Sequence, residues 1–285
     1  MINKNKKLMY GLRKISKNNK NEFFDEIDEF NDYDWPLEVG KRINKTPPKR
    51  GDLYCLLNAK GNWNLLSGEY WAVLEFDEKD MVLIDNEKCK VKKCKIIFLS
   101  ENPEGMLKFF DHEKFDSATA FKWASFVGNK DIMISKISES RWAYVWAKDI
   151  GNEDIMIDRI TDSFWAYFWA KNIGNQDIMI NKITDPKMAF YWAKFHGNKD
   201  VMIDRITEPQ WAYEWAKDIG NQDIMIDRIT ESEWAFNWAI FIGNKDIMID
   251  RITESEWAYF WLINIGNRDE LFAKFPNLPN RLVFR

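Results

Sequence analysis

From residue 119 onward, apolar and polar positions recur with a period of 23 residues. Seven consecutive copies start at Thr119, Trp142, Trp165, Met188, Trp211, Trp234 and Trp257. Within a copy, positions 1, 2, 5, 6 and 9 are apolar; in the second copy they are Trp142, Ala143, Trp146, Ala147 and Ile150. This one-sided stripe at helical spacing predicts a first helix. Its expected N-cap is the Ser or Thr four residues upstream of position 1: Ser138, Thr161, Thr184, Thr207, Thr230 or Thr253. Thr230-Glu-Ser-Glu233 and Thr253-Glu-Ser-Glu256 match a capping box. Pro186 and Pro209 fall in the first turn, where a missing N–H is harmless. A glycine closes the helix in every copy, from Gly128 to Gly266, and the Asn after it is the expected cap of a second helix. Asp-Ile-Met-Ile-Asp-Arg-Ile then supports about two helical turns, with a strand as the rival reading.

The pattern differs before the repeats. Leu53-Tyr-Cys-Leu-Leu, Tyr70-Trp-Ala-Val-Leu-Glu-Phe, Met81-Val-Leu-Ile and Val91-Lys-Lys-Cys-Lys-Ile-Ile-Phe-Leu read as strands separated by turn signals. Lys88-Cys-Lys-Val-Lys-Lys-Cys-Lys suggests a strand with one Lys-lined face, suited to a sheet edge. A short helix at Met106-Leu-Lys-Phe-Phe leads into the repeats. A unit of 23 residues cannot bury its apolar face alone, so the copies must stack. The expected fold class is mainly α: an α-solenoid of seven two-helix repeats preceded by a small α+β domain. The expected boundaries are a flexible basic tail over 1–21, an α+β domain with about four strands over 22–116, and the repeat domain with a C-terminal cap over 117–285. The template breaks at Asp269-Glu-Leu-Phe, as the end of an array does.

Composition narrows the function. The net charge is −4, and the excess of acids persists through the repeats, whereas a phosphate-binding groove is basic. Three cysteines, Cys55, Cys89 and Cys94, are too few and too scattered for a disulfide framework or a four-ligand zinc site. The basic start lacks the apolar run of a signal peptide, and no apolar stretch is long enough to span a bilayer. A cytoplasmic protein without membrane contact is expected.

Candidate chemistry is sparse. Gly-Asn-x-Asp supplies two oxygen ligands per loop but lacks the acid density and terminal Glu of a calcium loop, so capping is the better reading. In the copies that carry a Trp pair, both lie on the apolar stripe and are expected in the core rather than as stacking platforms. His196 stands at position 9, where other copies carry Ile or Val, and reads as a core variant; His112 has no motif partner. Cys89 and Cys94 lack the spacing of a redox motif and read as structural thiols. No enzyme activity, cofactor or metal is expected. Asp-Arg recurs at positions 17 and 18, giving either a ladder of ion pairs or an anion-binding row of Arg159, Arg205, Arg228 and Arg251.

Positions 4 and 8 of the first helix share a face and escape the template. They read Lys122/Phe126, Val145/Asp149, Phe168/Asn172, Tyr191/Phe195, Glu214/Asp218, Asn237/Phe241 and Phe260/Asn264. Phe126, Phe168, Tyr191, Phe195, Glu214, Asp218, Phe241 and Phe260 therefore form either a partner-binding ridge or an internal packing face against the second helices or the N-terminal domain. The expected function is a non-enzymatic scaffold that binds a protein. Its rivals are a nucleic-acid binder using Lys7, Lys14, Lys17, Lys20 and the Arg row, and an enzyme in the N-terminal domain with a targeting array.

The signature Trp-Ala-Tyr-x-Trp-Ala…Ile-Gly-Asn-x-Asp-Ile-Met-Ile-Asp-Arg-Ile, over 119 to about 272, resembles short-unit α-solenoid proteins of low-GC bacteria and their prophages. Trp71-Ala-Val-Leu-Glu-Phe together with Lys88-Cys-Lys-Val-Lys-Lys-Cys-Lys-Ile-Ile resembles a small domain of phage-borne proteins. The resemblance implies a mobile-element accessory protein that captures or inhibits a host factor.

Overall fold

The computed structural model describes residues 7–17, 36–44, 53–66, 68–83 and 88–278. The chain divides into two compact units, Met1–Arg159 and Ile160–Arg285. It is mainly helical, with an N-terminal antiparallel sheet.

In the first unit the strands are β1 (Leu8–Ile15), β2 (Arg42–Asn44), β3 (Leu53–Leu57), β4 (Tyr70–Asp77), β5 (Met81–Leu83), β6 (Lys88–Val91) and β7 (Lys93–Ser100). They pair in the order β2-β7-β4-β1-β3-β6-β5. Part of the expected flexible basic tail over 1–21 is instead a strand. β1 lies inside the sheet, in register with β4 from Leu8↔Asp77 to Ile15↔Tyr70. Its charges are accommodated locally: Lys7 pairs with Glu78 at 2.7 Å, Lys17 pairs with Glu101 at 2.9 Å, and Lys14 lies 4.6 Å from the Trp71 ring. Residues 1–6 and 18–21 of that tail, and the acidic stretch 22–34, lie outside the described residues.

The Lys-rich segment is not an edge. It is two strands separated at Lys92, whose N–H donates to the Asp80 carbonyl at 2.7 Å. β6 is flanked by β3 and β5, and β7 by β2 and β4. The reason is the alternation of Cys89, Val91, Cys94 and Ile96, which join Ile15, Ile43, Cys55, Ala72, Leu74 and Phe76 in one buried cluster. Gly11 permits this packing, because a Cβ there would stand 2.3 Å from Cys55 Sγ.

α1 (Ser117–Phe126), α2 (Lys130–Met133), α3 (Ser140–Asp149) and α4 (Glu153–Met156) complete the first unit. The second unit holds α5 (Ser163–Asn172), α6 (Gln176–Met179), α7 (Pro186–His196), α8 (Lys199–Met202), α9 (Pro209–Asp218), α10 (Gln222–Met225), α11 (Ser232–Phe241), α12 (Lys245–Met248), α13 (Ser255–Asn264) and α14 (Arg268–Lys274). The second element of each copy is thus a helix, not a strand. From α2 to α12 it is one α turn continued as a 3-10 turn, whereas α14 runs unbroken for 7 residues where the template ends. Between paired helices the Gly-Asn step takes positive φ at both residues, as at Gly220 (113°) and Asn221 (55°). Asn is among the few side chains that tolerate this conformation.

The first-helix N-caps are shifted by one residue from the expected Ser/Thr. The caps are acidic: Asp116, Asp162 and Asp185 accept from first-turn N–H groups, while Glu139, Glu208, Glu231 and Glu254 make no side-chain capping bond. The two expected capping boxes therefore do not form. Instead, the serine opening one helix serves the next copy. Ser232 Oγ accepts from Thr253 N–H at 2.9 Å and from Glu254 N–H at 3.3 Å. Ser117 does the same for Ser138 and Glu139, and Ser163 for Thr184 and Asp185.

Two further positions depart from the expected stripe. Position 3 is core, with Tyr144, Tyr167, Phe190, Tyr213 and Phe236 all buried. The Trp at position 1 is only half-buried and lies against the position-3 ring of the preceding helix, at 5.6 Å for both Phe190–Trp211 and Tyr213–Trp234. The Trp at position 5 is fully buried in all seven copies, as are Met133, Met156, Met179, Met202, Met225, Met248 and Leu271. Among the described residues, the indole N–H groups of Trp146, Trp169, Trp215, Trp238 and Trp261 lack a hydrogen-bond acceptor, whereas Trp123 and Trp192 donate to Asn129 and Asn198.

Candidate functional site

With positions 2, 3, 5 and 6 turned inward, the first helices have positions 4, 7 and 8 left for solvent. The structure separates the expected ridge into two tiers. At position 8, Phe126, Phe195 and Phe241 are 48%, 63% and 67% exposed, and Asp218 is exposed too. At position 4, Phe168, Tyr191 and Glu214 are half-buried, while Phe260 is exposed. Phe168 packs 4.7 Å from Phe164 of its own helix. Tyr191 stacks on Phe195 with ring centroids 6.2 Å apart and also meets Trp211 at 5.9 Å. Asp218 accepts an ion pair from Lys194 at 2.6 Å, which links α7 to α9 along the ridge. Phe126 differs in setting: its ring lies 5.8 Å from Trp63, which the turn after β3 brings against Trp71 and Trp123.

Two further positions of the repeat expose apolar residues. Position 14 is exposed at Ile132, Ile155, Ile178, Val201, Ile224 and Ile247. Position 7 carries exposed Ile240 and Ile263 on α11 and α13, where α3, α5, α7 and α9 carry Lys. The signal for the latter was present as a Lys-to-Ile change in the last two copies.

The Arg row is built into the joints between copies. Arg159 Nη1 donates to the carbonyls of Ile134 and Ile137, the latter at 2.5 Å. Arg205 donates to Ile180 and Ile183, Arg228 to Ile203 and Ile206, and Arg251 to Ile226 and Ile229. These carbonyls end a helical turn and carry its negative partial charge, so a guanidinium complements them. Lys274 occupies the same position in the last copy and donates to Asp250 O at 2.6 Å. The ion pairs of the row are long: Arg228–Asp204 at 4.0 Å and Arg251–Asp227 at 3.6 Å. With Nη1 so engaged, no observation favours an anion ligand for this row.

The three cysteines share the buried cluster of the sheet, which neither histidine joins. Cys55 and Cys89 face each other across β3 and β6, their Sγ atoms 3.5 Å apart, and among the described residues neither pairs with a base. Their mutual hydrogen bond and burial hold the Cys55 thiol well above its ordinary range, and burial pushes Cys94 up to about 12. Arg13 is buried beside Cys55 and Cys94, and burial lowers its pKa to about 10. Cys94 lines a 440 Å³ cleft with Arg42, Glu75 and Asp77, a cleft that neither His112, Cys55 nor Cys89 lines. His112 lies 3.3 Å from its neighbour Glu113. His196 is exposed rather than in the core, with its ring 4.7 Å from Trp192; partial desolvation and nearby Lys171 lower its pKa.

Among the described residues no group of three or more His, Cys, Asp or Glu could hold a metal ion, and no helix is long and apolar enough to cross a membrane. Comparison with family models, curated proteins and solved structures returns no match.

Proposed function

We propose that this protein is a scaffold whose repeated helix pairs stack as an α-solenoid and bind another protein through positions 4 and 8 of the first helices. One observation carries the reading: Phe195 and Phe241 are about two-thirds exposed on helices whose opposite face is filled by buried Trp and Ala. Large aromatics left in water along one helix face are what a protein interface uses as anchors. The partner class implied by the sequence resemblance is a host protein captured by a mobile-element product.

The test is capture from host lysate on the immobilised protein, with and without nuclease, read by mass spectrometry. A stoichiometric, nuclease-resistant protein that disappears with Tyr191→Ser/Phe195→Ser/Phe241→Ser is expected, with helicity and melting temperature nearly unchanged. Loss of the fold in that variant, or capture that persists in it, overturns the reading.

A further inference from the structure

We infer that the face formed by α11 and α13 docks a basic amphipathic segment of a protein partner; this rests on the scaffold reading above. Ile240 and Ile263 are 40% and 38% exposed, beside Phe241 and Phe260 on the same helices. Positions 4, 7 and 8 share one helical face. The two helices pack side by side, and the Phe260 ring lies 6.3 Å from Phe236 of α11. A contiguous group of large apolar side chains in water marks an interaction surface.

The two helices themselves carry charge of one sign only. Neither α11 nor α13 contains Lys or Arg, whereas α3, α5, α7 and α9 carry Lys148, Lys171, Lys194 and Lys217 at position 7. Glu231, Glu233, Glu254 and Glu256 open the two helices, and all four are exposed. Glu231 and Glu254 stand at the N-cap positions without accepting a side-chain capping bond. Among the described residues, none of the four glutamates has an ion-pair partner. Glu233 and Ile240, seven residues apart, share a face and are separated by roughly 10 Å along the helix at about 1.5 Å per residue. A fitting partner therefore places Lys or Arg about two helical turns from its own apolar residues.

The experiment uses the full chain and a fluorescent amphipathic peptide of leucine and lysine, with the lysines gathered in its N-terminal turns, and a counterpart with glutamate for lysine. Anisotropy should show binding of the lysine peptide only. Ile240→Lys/Ile263→Lys should weaken it at least about tenfold; this variant restores the residue found at position 7 in four other helices, and a Gln pair at the same sites is the second variant. Changing Glu231, Glu233, Glu254 and Glu256 to Lys should transfer binding to the glutamate peptide. No binding of the lysine peptide, equal binding of both peptides, or binding indifferent to the Ile240 and Ile263 variants overturns the inference. Phe195→Ser, on α7, separates the two readings. If it abolishes capture of the lysate protein while the peptide ignores Ile240 and Ile263, this inference fails and the scaffold reading stands.

Discussion

Replacing Arg228 by Gln tests whether the Arg row is a structural joint. In the native protein Arg228 Nη1 donates to Ile203 O and to Ile206 O, the second at 2.5 Å, with the side chain 24% exposed. Hydrogen bonds from a charged donor contribute about 1.5–3 kcal/mol each when buried. Two of them to neighbouring carbonyls on a partly wet side chain should together contribute about 2–3 kcal/mol. Asp204, 87% exposed and 4.0 Å from Arg228, is the control: a surface ion pair of that kind contributes ~0–1 kcal/mol. Arg228→Gln should therefore destabilise clearly, Asp204→Asn hardly at all, and Arg228→Lys by an intermediate amount, since Lys274 fills the same role at 2.6 Å. Urea unfolding followed by tryptophan fluorescence and far-UV circular dichroism gives the differences. Coincidence of the two probes checks that unfolding stays cooperative, which arrays do not guarantee. If Arg228→Gln and Asp204→Asn agree within about 0.5 kcal/mol, the carbonyl bonds contribute nothing and the structural account of the row is wrong.

Two other outcomes follow from burial. Trp192→Ala removes a fully buried indole and should cost about 3–5 kcal/mol, whereas Trp211→Ala, half-buried against Phe190, should cost roughly half as much; equal urea midpoints would contradict the packing. Cys94 is held protonated by burial, with its pKa raised from 9.0 to about 12. The native state therefore keeps a proton that the unfolded chain releases. The resulting stability is present below pH 9 and lost as pH rises towards about 12. Unfolding midpoints measured across that window should fall less steeply in Cys94→Ala; identical slopes would remove the thiol from the account.

Much of the helical part was legible because its determinants are local. Trp142, Ala143, Trp146 and Ala147 place a stripe on one turn after another, and Gly151-Asn152 ends the helix through backbone conformation alone. The N-cap was misplaced by one residue because Ser232 serves Thr253 and Glu254, about one copy downstream, and not its own helix. The burial of position 3 is not legible within one helix, because Phe190 and Tyr213 lie against Trp211 and Trp234 of the following helices. β1 was hidden by the lysines in and around it: its pairing with β3 and β4 joins residues far apart in the chain, while charge density is a short-range signal. At the candidate site, the aromatics at positions 4 and 8 were visible as departures from the template, but their division into exposed Phe195 and half-buried Tyr191 was not.

The 23-residue period, the two-helix unit and the Gly-Asn break follow from local sequence, since each depends on side chains within one or two turns of one another. Tertiary structure decided which aromatics remain in water, that Arg205, Arg228 and Arg251 close on carbonyls of the preceding copy, and that a Lys-bearing segment is an inner strand. Those outcomes depend on contacts between residues one repeat or several strands apart, where burial and main-chain hydrogen bonding outweigh local preference.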